Sequence, residues 1–382
     1  MNQATRRTNE GSMSMQVTAA VARAPGEDFT LETVELDDPR PDEILVRIAA
    51  VGVCHTDLVA RAGAMPFSMP AVLGHEGAGV VEKVGAAVTK VAVGDRVALT
   101  FRSCGRCDRC MSGDPAYCYS MPALNYIGMR PDGTKALRQG ETAVSSNFFG
   151  QSSFATYCLA YERNTLKLPD DIPFEIAAPL GCGVQTGAGG VMLALACSKG
   201  SSLLITGGGA VGLSAVMGAV IRECRTIIVV EPHAARRALA MELGATHVID
   251  PAASPDLTAA VRAIAAQGVD YAFDTTGRGD TLTAIMGVLA PKGVLGIVGI
   301  PAPGTPMPGD LGVLLTFGQT VRGIIEGDSD PDVFILDLIN LWREGRLPLE
   351  KLVRAFPFDQ INTAIDAQHH GDCVKVVLTL PA

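Results

Sequence analysis

The chain has 382 residues, 48% hydrophobic and 19% charged, enough apolar sequence to bury two cores, so two domains are expected. A formal net charge of −9 without any basic run argues against a nucleic-acid partner, and no apolar run reaches the ~18 residues of a membrane-spanning helix. Of ten cysteines, six are spaced or flanked as metal ligands, whereas Cys158, Cys197, Cys224 and Cys373 read as single residues in apolar surroundings, a usage that suits a reducing, cytoplasmic setting.

Residues 1–15 are polar, carry Arg6 and Arg7 and lack the apolar core of a secretory signal, so a disordered extension outside the fold is expected. From Gln16 to Val59 apolar and polar residues alternate, as in Leu31–Leu36 and Ile44–Ile48, and residues 79–85 and 95–99 continue the pattern. Period-two alternation broken by Gly and Pro predicts a barrel-like, mainly antiparallel lobe.

Within this lobe Cys54 and His75 lie 21 positions apart, each near a carboxylate and flanked by glycine. A pair does not close a zinc site, and Cys182, set between Gly181 and Gly183, is the obvious third donor. A Cys2His set leaves the fourth position to water or substrate, as catalytic zinc requires. Asp57 is available to orient His75 through its other ring nitrogen, and Glu76 either supports the ligands or binds zinc transiently during exchange. Cys104, Cys107, Cys110 and Cys118 place four thiols within fifteen residues, which suits a closed structural zinc; an iron–sulfur cluster or two disulfides are the alternatives. Residues 119–147 read as an irregular, pocket-shaping loop, and a strand is expected over Ser153–Tyr157.

At Ser202 the periodicity changes. The apolar strand Ser202–Thr206 runs into Gly207, Gly209 and Gly212, a G-x-G-x-x-G set followed by an apolar helix over Leu213–Ile221. In that context the glycines allow a tight turn and bring backbone N–H groups to a dinucleotide pyrophosphate. The strand Thr226–Val230 ends at Glu231, nineteen positions past Gly212, where a carboxylate accepts hydrogen bonds from the adenosine ribose and repels a 2′-phosphate. NAD is therefore expected over NADP, although His233, Arg236 and Arg237 put positive charge nearby. Helices over His233–Leu243, Leu282–Leu289 and Phe334–Arg343 alternate with strands at His247–Ile249, Val269–Phe273, Val294–Gly299 and Val374–Leu378, the pattern of a doubly wound parallel sheet.

Taken together, the motifs at 52–57, 74–76, 104–118, 181–183 and 207–212 resemble those of the zinc-dependent medium-chain alcohol dehydrogenases, over about Val17 to Leu380, and most closely the aryl (benzyl-type) branch. The resemblance implies a GroES-like catalytic domain over 16–183, a Rossmann cofactor domain over 184–327, and a return to the catalytic domain over 328–382. It further implies that Thr186 and Val211 pack against the nicotinamide, that Lys375 contacts cofactor phosphate, and that Met65, Thr100, Phe148 and Phe149 line the substrate channel; Arg236, close to Glu231, is a further candidate for cofactor binding from its charge and position alone. Thr56 would pass the alcohol proton toward the cofactor ribose. Many relatives complete that relay with a histidine where this chain has Val59; His55 is the expected substitute for proton release or cofactor holding.

The expected activity is zinc-assisted hydride transfer between a primary aromatic alcohol and NAD. Aliphatic or terpenoid alcohols, S-hydroxymethylglutathione, and a non-catalytic zinc- and NAD-binding role are the alternatives. Pro122-Ala123 stands where glutathione-dependent relatives place an arginine, and every ligand position is filled, which counts against the last two. A homodimer or homotetramer formed through the apolar, Gly- and Pro-rich stretch Gly296–Gly318 is expected.

Overall fold

The computed structural model describes residues 14–66 and 68–381. Ser14 and Met15, assigned above to the extension, open the strand Ser14–Ala22, because they pair with Asp37 and Leu36 of the strand Thr30–Asp37. The rest of the extension lies outside the described residues.

The first lobe consists of two sheets. One runs in the order Ala71–Val72, Ser14–Ala22, Thr30–Asp37, Leu137–Gln139, Thr142–Val144; the other runs Thr165–Lys167, Arg96–Leu99, Gly77–Val84, Glu43–Gly52, Lys375–Thr379, Val353–Pro357, with Tyr157–Tyr161 also on Glu43–Gly52. Pairing is antiparallel throughout, apart from the terminal pair Val353–Pro357 and Lys375–Thr379. Ile44, Val46 and Ile48 project into the interior with at most 1% exposure, each stabilising the lobe by roughly 1.5–3 kcal/mol. Because Lys375–Thr379 pairs with Glu43–Gly52, the end of the chain is part of this lobe.

The second lobe is a six-stranded parallel sheet in the order His247–Ile249, Thr226–Val230, Ser202–Thr206, Val269–Asp274, Leu289–Ile297, Thr320–Gly323. Leu203, Leu204 and Ile205 are consecutive and all fully buried, since helices cover both faces. Leu203 and Ile205 pack with Leu213 and Val216 of the helix Ala210–Ile221, while Leu204 packs with Val261 and Leu282 on the other side. The expected combination of an antiparallel lobe and a Rossmann-type parallel lobe is thus present. No single helix among the described residues is long and apolar enough to cross a membrane.

Several boundaries differ from expectation. The strand expected over Ser153–Tyr157 instead occupies Tyr157–Tyr161, because Asn147, Phe149 and Ser152 take left-handed backbone angles (φ 64°, 53° and 64°) that keep the preceding segment folded on itself. Residues 119–147 are not wholly irregular: they hold a short helix, Met121–Asn125, and the hairpin Leu137–Gln139/Thr142–Val144. The helix expected over Leu282–Leu289 spans Gly279–Met286, and Leu289 already begins the next strand. The helix expected from Phe334 starts at Pro331, where Asp330 caps the N–H of Asp332 and proline at the first turn forfeits no hydrogen bond.

Candidate active site and metal centres

Cys54 stands where the strand Glu43–Gly52 gives way to the helix His55–Arg61, at the N-cap position of that helix. Asp57, three residues on, is fully buried and organises the surroundings. Its Oδ2 accepts from the Cys54 N–H at 2.9 Å, and its Oδ1 accepts from the Gly74 N–H at 3.0 Å and meets His75 Nδ1 at 2.8 Å. That contact fixes the imidazole so that Nε2 points the other way, buried and without a hydrogen-bond partner. Gly74 itself (φ +88°) has no room for a side chain, since a Cβ there would lie 2.5 Å from the Phe154 backbone nitrogen.

One donor atom each from Cys54, His75, Glu76 and Cys182 lies within 4.8 Å of the others. An orphaned imidazole nitrogen facing two thiols is the donor set zinc takes, and these residues fit it. The two thiols influence each other at this range: Cys182 is the largest influence pushing Cys54 well below the ordinary thiol range against its burial, and Cys182 is itself pushed up by Cys54 and by burial. Glu76 bridges the ligand segments, accepting from the Gly183 N–H at 3.1 Å and pairing with Lys375 Nζ at 2.5 Å. Burial pushes its carboxyl up to about 7, with Lys375 opposing. Zinc held here would polarise an alcohol or carbonyl oxygen.

The second cluster is local. Sγ of Cys107 lies 3.6 Å from Cys110 and 3.9 Å from Cys118, and Sγ of Cys104 lies 3.9 Å from Cys110. A tetrahedron of thiolates at about 2.3 Å from zinc has edges of roughly 3.8 Å, so the four sulfurs fit a closed zinc site. All four cysteines are free, which sets the two-disulfide alternative aside. The N–H groups of Cys104 and Ser120 donate to Cys118 Sγ at 3.3 and 3.4 Å, as thiolate ligands require.

A cavity of about 170 Å³ opens beside Cys54 and Cys182. Thr56 and the exposed His55 border it on the ligand side, Thr186 and Val211 on the cofactor side, and Met65, Tyr126 and Phe149 form an apolar wall. Phe149 stacks on the His75 ring at 4.3 Å, with Tyr126 edge-on to it. Phe148 and Thr100, expected in the channel, do not line this cavity. Phe148 is fully buried with its ring edge-on to His75, and Thr100 donates to the Gly181 carbonyl at 2.6 Å and accepts from Gln185, bracing the third ligand.

Glu326 went unnoticed in the sequence. It lies in the cavity wall with a left-handed backbone (φ +50°), and its Oε2 accepts from Gln185 Nε2 at 3.0 Å and Thr186 Oγ1 at 3.4 Å. Burial pushes its carboxyl up to about 7. The available signal was a carboxylate following Ile324-Ile325 and preceding a glycine.

On the nucleotide side, Gly207 has φ +93°, and a Cβ on Gly212 would fall 1.8 Å from the Gly207 carbonyl oxygen, so helix and strand meet only through glycine. Glu231 Oε2 accepts from the Gly208 N–H at 2.6 Å, and Oε1 accepts from the His233 N–H at 2.8 Å. A cavity of about 590 Å³ opens there, at the C-terminal edge of the parallel sheet. Two residues expected at the cofactor have other partners. Arg236 donates to the carbonyls of Gln368 and Cys373, drawn by the end of the helix Ile361–His370, and Lys375 is buried against Glu76 and the Val53 carbonyl.

Comparison with known proteins agrees with this geometry. Residues 40–170 match the alcohol dehydrogenase GroES-like domain, and residues 210–340 match the zinc-binding dehydrogenase domain. A geraniol dehydrogenase of Castellaniella defragrans is 47% identical over 94% of this chain and 96% of its own length. Among solved structures, an alcohol dehydrogenase zinc-binding domain protein from Burkholderia ambifaria superposes with a TM-score of 0.93 at 47% identity, over 97% of this chain and 100% of that one. The benzyl alcohol dehydrogenase of Acinetobacter calcoaceticus follows with 0.92 at 40% identity, over 96% and 100%. With both metal-ligand clusters and the dinucleotide fold in place, the chain belongs to the zinc-dependent medium-chain alcohol dehydrogenases and acts on a small alcohol with zinc and NAD.

Proposed function

We propose that the substrate is a primary alcohol whose carbinol carbon is attached to an sp2 carbon, with acyclic terpenoid allylic alcohols of the geraniol type preferred and benzyl-type alcohols second. The observation that carries this reading is the 47% identity with a geraniol dehydrogenase over nearly the whole of both chains. The apolar wall of Met65, Tyr126 and Phe149 suits a flat unsaturated chain, and Phe149, held against His75, offers an oriented ring to its π system. The 40% identity with a benzyl alcohol dehydrogenase favours the second reading.

In the proposed reaction Thr56 receives the alcohol proton, while Thr186 and Val211 set the face of the nicotinamide. A nicotinamide held there would supply the hydride chemistry, and these side chains would orient it toward the carbinol carbon. Glu231 selects NAD by claiming the ribose hydroxyls. A homo-oligomer is part of the reading, supported by the exposed apolar side chains of Leu311, Leu315 and Met307 (82%, 81% and 74%) near the edge strand Thr320–Gly323. Light scattering on the eluting protein measures that assembly.

The test is initial NADH formation by the zinc-loaded enzyme with geraniol, benzyl alcohol, a straight-chain saturated alcohol, and formaldehyde plus glutathione, repeated with NADP. The expected order of kcat/KM is geraniol, then benzyl alcohol, then the saturated alcohol, with no rate on the glutathione adduct. A preference for the saturated alcohol or the adduct sinks the proposal. The variant Glu231→Ala is expected to narrow the NAD-over-NADP ratio by roughly tenfold or more.

A further inference from the structure

Cys197 and Cys224, which the sequence presents as unrelated, meet at the N-terminal end of the parallel sheet, opposite the nucleotide loop. Cys197 follows the helical turn Gly190–Ala194, and Cys224 immediately precedes the strand Thr226–Val230 by two residues. Each comes directly after a non-glycine residue in the left-handed conformation, Ala196 (φ 46°) and Glu223 (φ 57°). The two turns are fastened together: the Gly200 N–H donates to the Glu223 carbonyl at 2.8 Å, Arg222 Nε donates to the Cys197 carbonyl at 2.8 Å, and Lys199 pairs with Glu223 at 2.6 Å.

This framework brings a fully buried thiol, Cys197, and a half-buried one, Cys224, into adjoining turns. Cys224 packs on the same core cluster that holds Cys197, and Ser201 Oγ, four residues past Cys197, lies 3.5 Å from Cys224 Sγ. Neither belongs to the zinc clusters, which use the other grouped cysteines. We propose that Cys197 and Cys224 form an oxidisable thiol pair that closes to a disulfide when the protein meets a hydroperoxide.

The environment assigns the two roles. The neighbouring Cys197 thiol is the main influence lowering Cys224 to about 7; burial opposes it, the Ser201 hydroxyl and Arg222 assist, and Asp270 works against. Cys224 and burial together push the Cys197 thiol up, so Cys197 is the protonated partner. The Cys224 thiolate attacks an oxygen of the hydroperoxide and breaks the O–O bond. The departing hydroxide or alkoxide takes up a proton, and Cys224 is left as sulfenic acid. Cys197 then gives up its proton and attacks the Cys224 sulfur, expelling hydroxide, which leaves as water. Two thiols are oxidised, and the hydroperoxide is reduced to water plus water or an alcohol. The bridge ties the segment that follows zinc ligand Cys182 to the turn after the cofactor helix Ala210–Ile221.

The test uses the zinc-loaded full chain with one equivalent of hydrogen peroxide, followed by alkylation, trypsin and mass spectrometry. The expected product is the tryptic peptide 168–199 joined to 223–225, with fragmentation assigning the link to Cys197 rather than Cys182, and a loss of two free thiols per chain. In Cys224→Ser the same treatment should leave Cys197 alkylated, and in Cys197→Ala dimedone should trap a sulfenic acid on Cys224. Alkylation of both residues in peroxide-treated wild type overturns the proposal, as does a bridge to Cys182. If Cys197→Ala fails to fold, the wild-type and Cys224→Ser arms decide the matter.

Discussion

The two metal centres are built on opposite plans. Cys104, Cys107, Cys110 and Cys118 come from one stretch of fifteen residues, three of them half-buried, in a segment whose own regular structure is two short helical turns, Asp108–Met111 and Pro115–Tyr117. Cys54, His75 and Cys182 span 129 positions, from Cys54 through Cys182, and their geometry exists only once the first lobe has closed and the chain has passed toward the second. A local centre is worth most to the segment it ties, because metal binding there is folding free energy. A dispersed centre needs a scaffold that already holds its ligands, and that scaffold is visible here in Asp57, Glu76, Thr100 and Gln185. Stability and chemistry should therefore respond separately to damage at the two centres.

The largest effect is expected from removing a dispersed ligand. Cys182→Ala should lower kcat by roughly 10³-fold or more, because Lewis-acid polarisation supplies several kcal/mol to the transition state. Its melting temperature should move far less than its rate, measured by calorimetry beside steady-state kinetics. A parallel collapse of folding would show that the dispersed centre is structural after all. Next in size is Asp57→Asn, which keeps the shape but weakens the hold on His75 Nδ1 and on the N–H groups of Cys54 and Gly74. A loss of about 10–100-fold in activity or zinc affinity is expected, read by kinetics and by competition with a zinc chelator. Cys107→Ser reverses the pattern: the melting temperature should fall by roughly 5 °C or more while kcat stays within about tenfold. Loss of activity without loss of stability in that variant would erase the distinction between the centres.

How much of this was legible in the sequence follows the same division. The four-cysteine lobe and the strand–glycine–helix unit announce themselves because their parts are adjacent and their physics is local; the strands Ser202–Thr206 and Thr226–Val230 fall where the apolar runs put them. Distant relations were harder. Phe148 and Phe149 are neighbours with the same side chain, yet the left-handed backbone at Asn147 and Phe149 sends one ring into the core and the other to the cavity, which no periodicity reports. Glu326 looked like an ordinary turn carboxylate until the fold brought it against Gln185 and Thr186. Cys197 and Cys224 likewise became a pair only through the turns that pack their segments together. Arg236 has a basic side chain in a suitable place, but the carbonyls of Gln368, in a helix from the far end of the chain, and of Cys373, just past it, take its hydrogen bonds.

The smallest expected effect tests how far the dispersed centre reaches beyond its buried ligands. His55 is the first residue of the helix that Cys54 caps; it is exposed where Cys54 is half-buried and Asp57 fully buried, and it borders the cavity. Val59, one helical turn on, offers no group that can carry a proton. If His55 passes the alcohol proton to solvent, His55→Arg should change kcat only a few-fold but flatten the limb of the pH–rate profile that falls toward acid, since arginine stays protonated throughout and cannot accept. The Michaelis constant for NAD should fall in the same variant, because a guanidinium at the cavity mouth binds phosphate better than a neutral imidazole. An unchanged profile with a lower Michaelis constant would assign His55 to cofactor holding alone and leave proton release to water at the open mouth, confining the chemistry of the dispersed centre to its buried core.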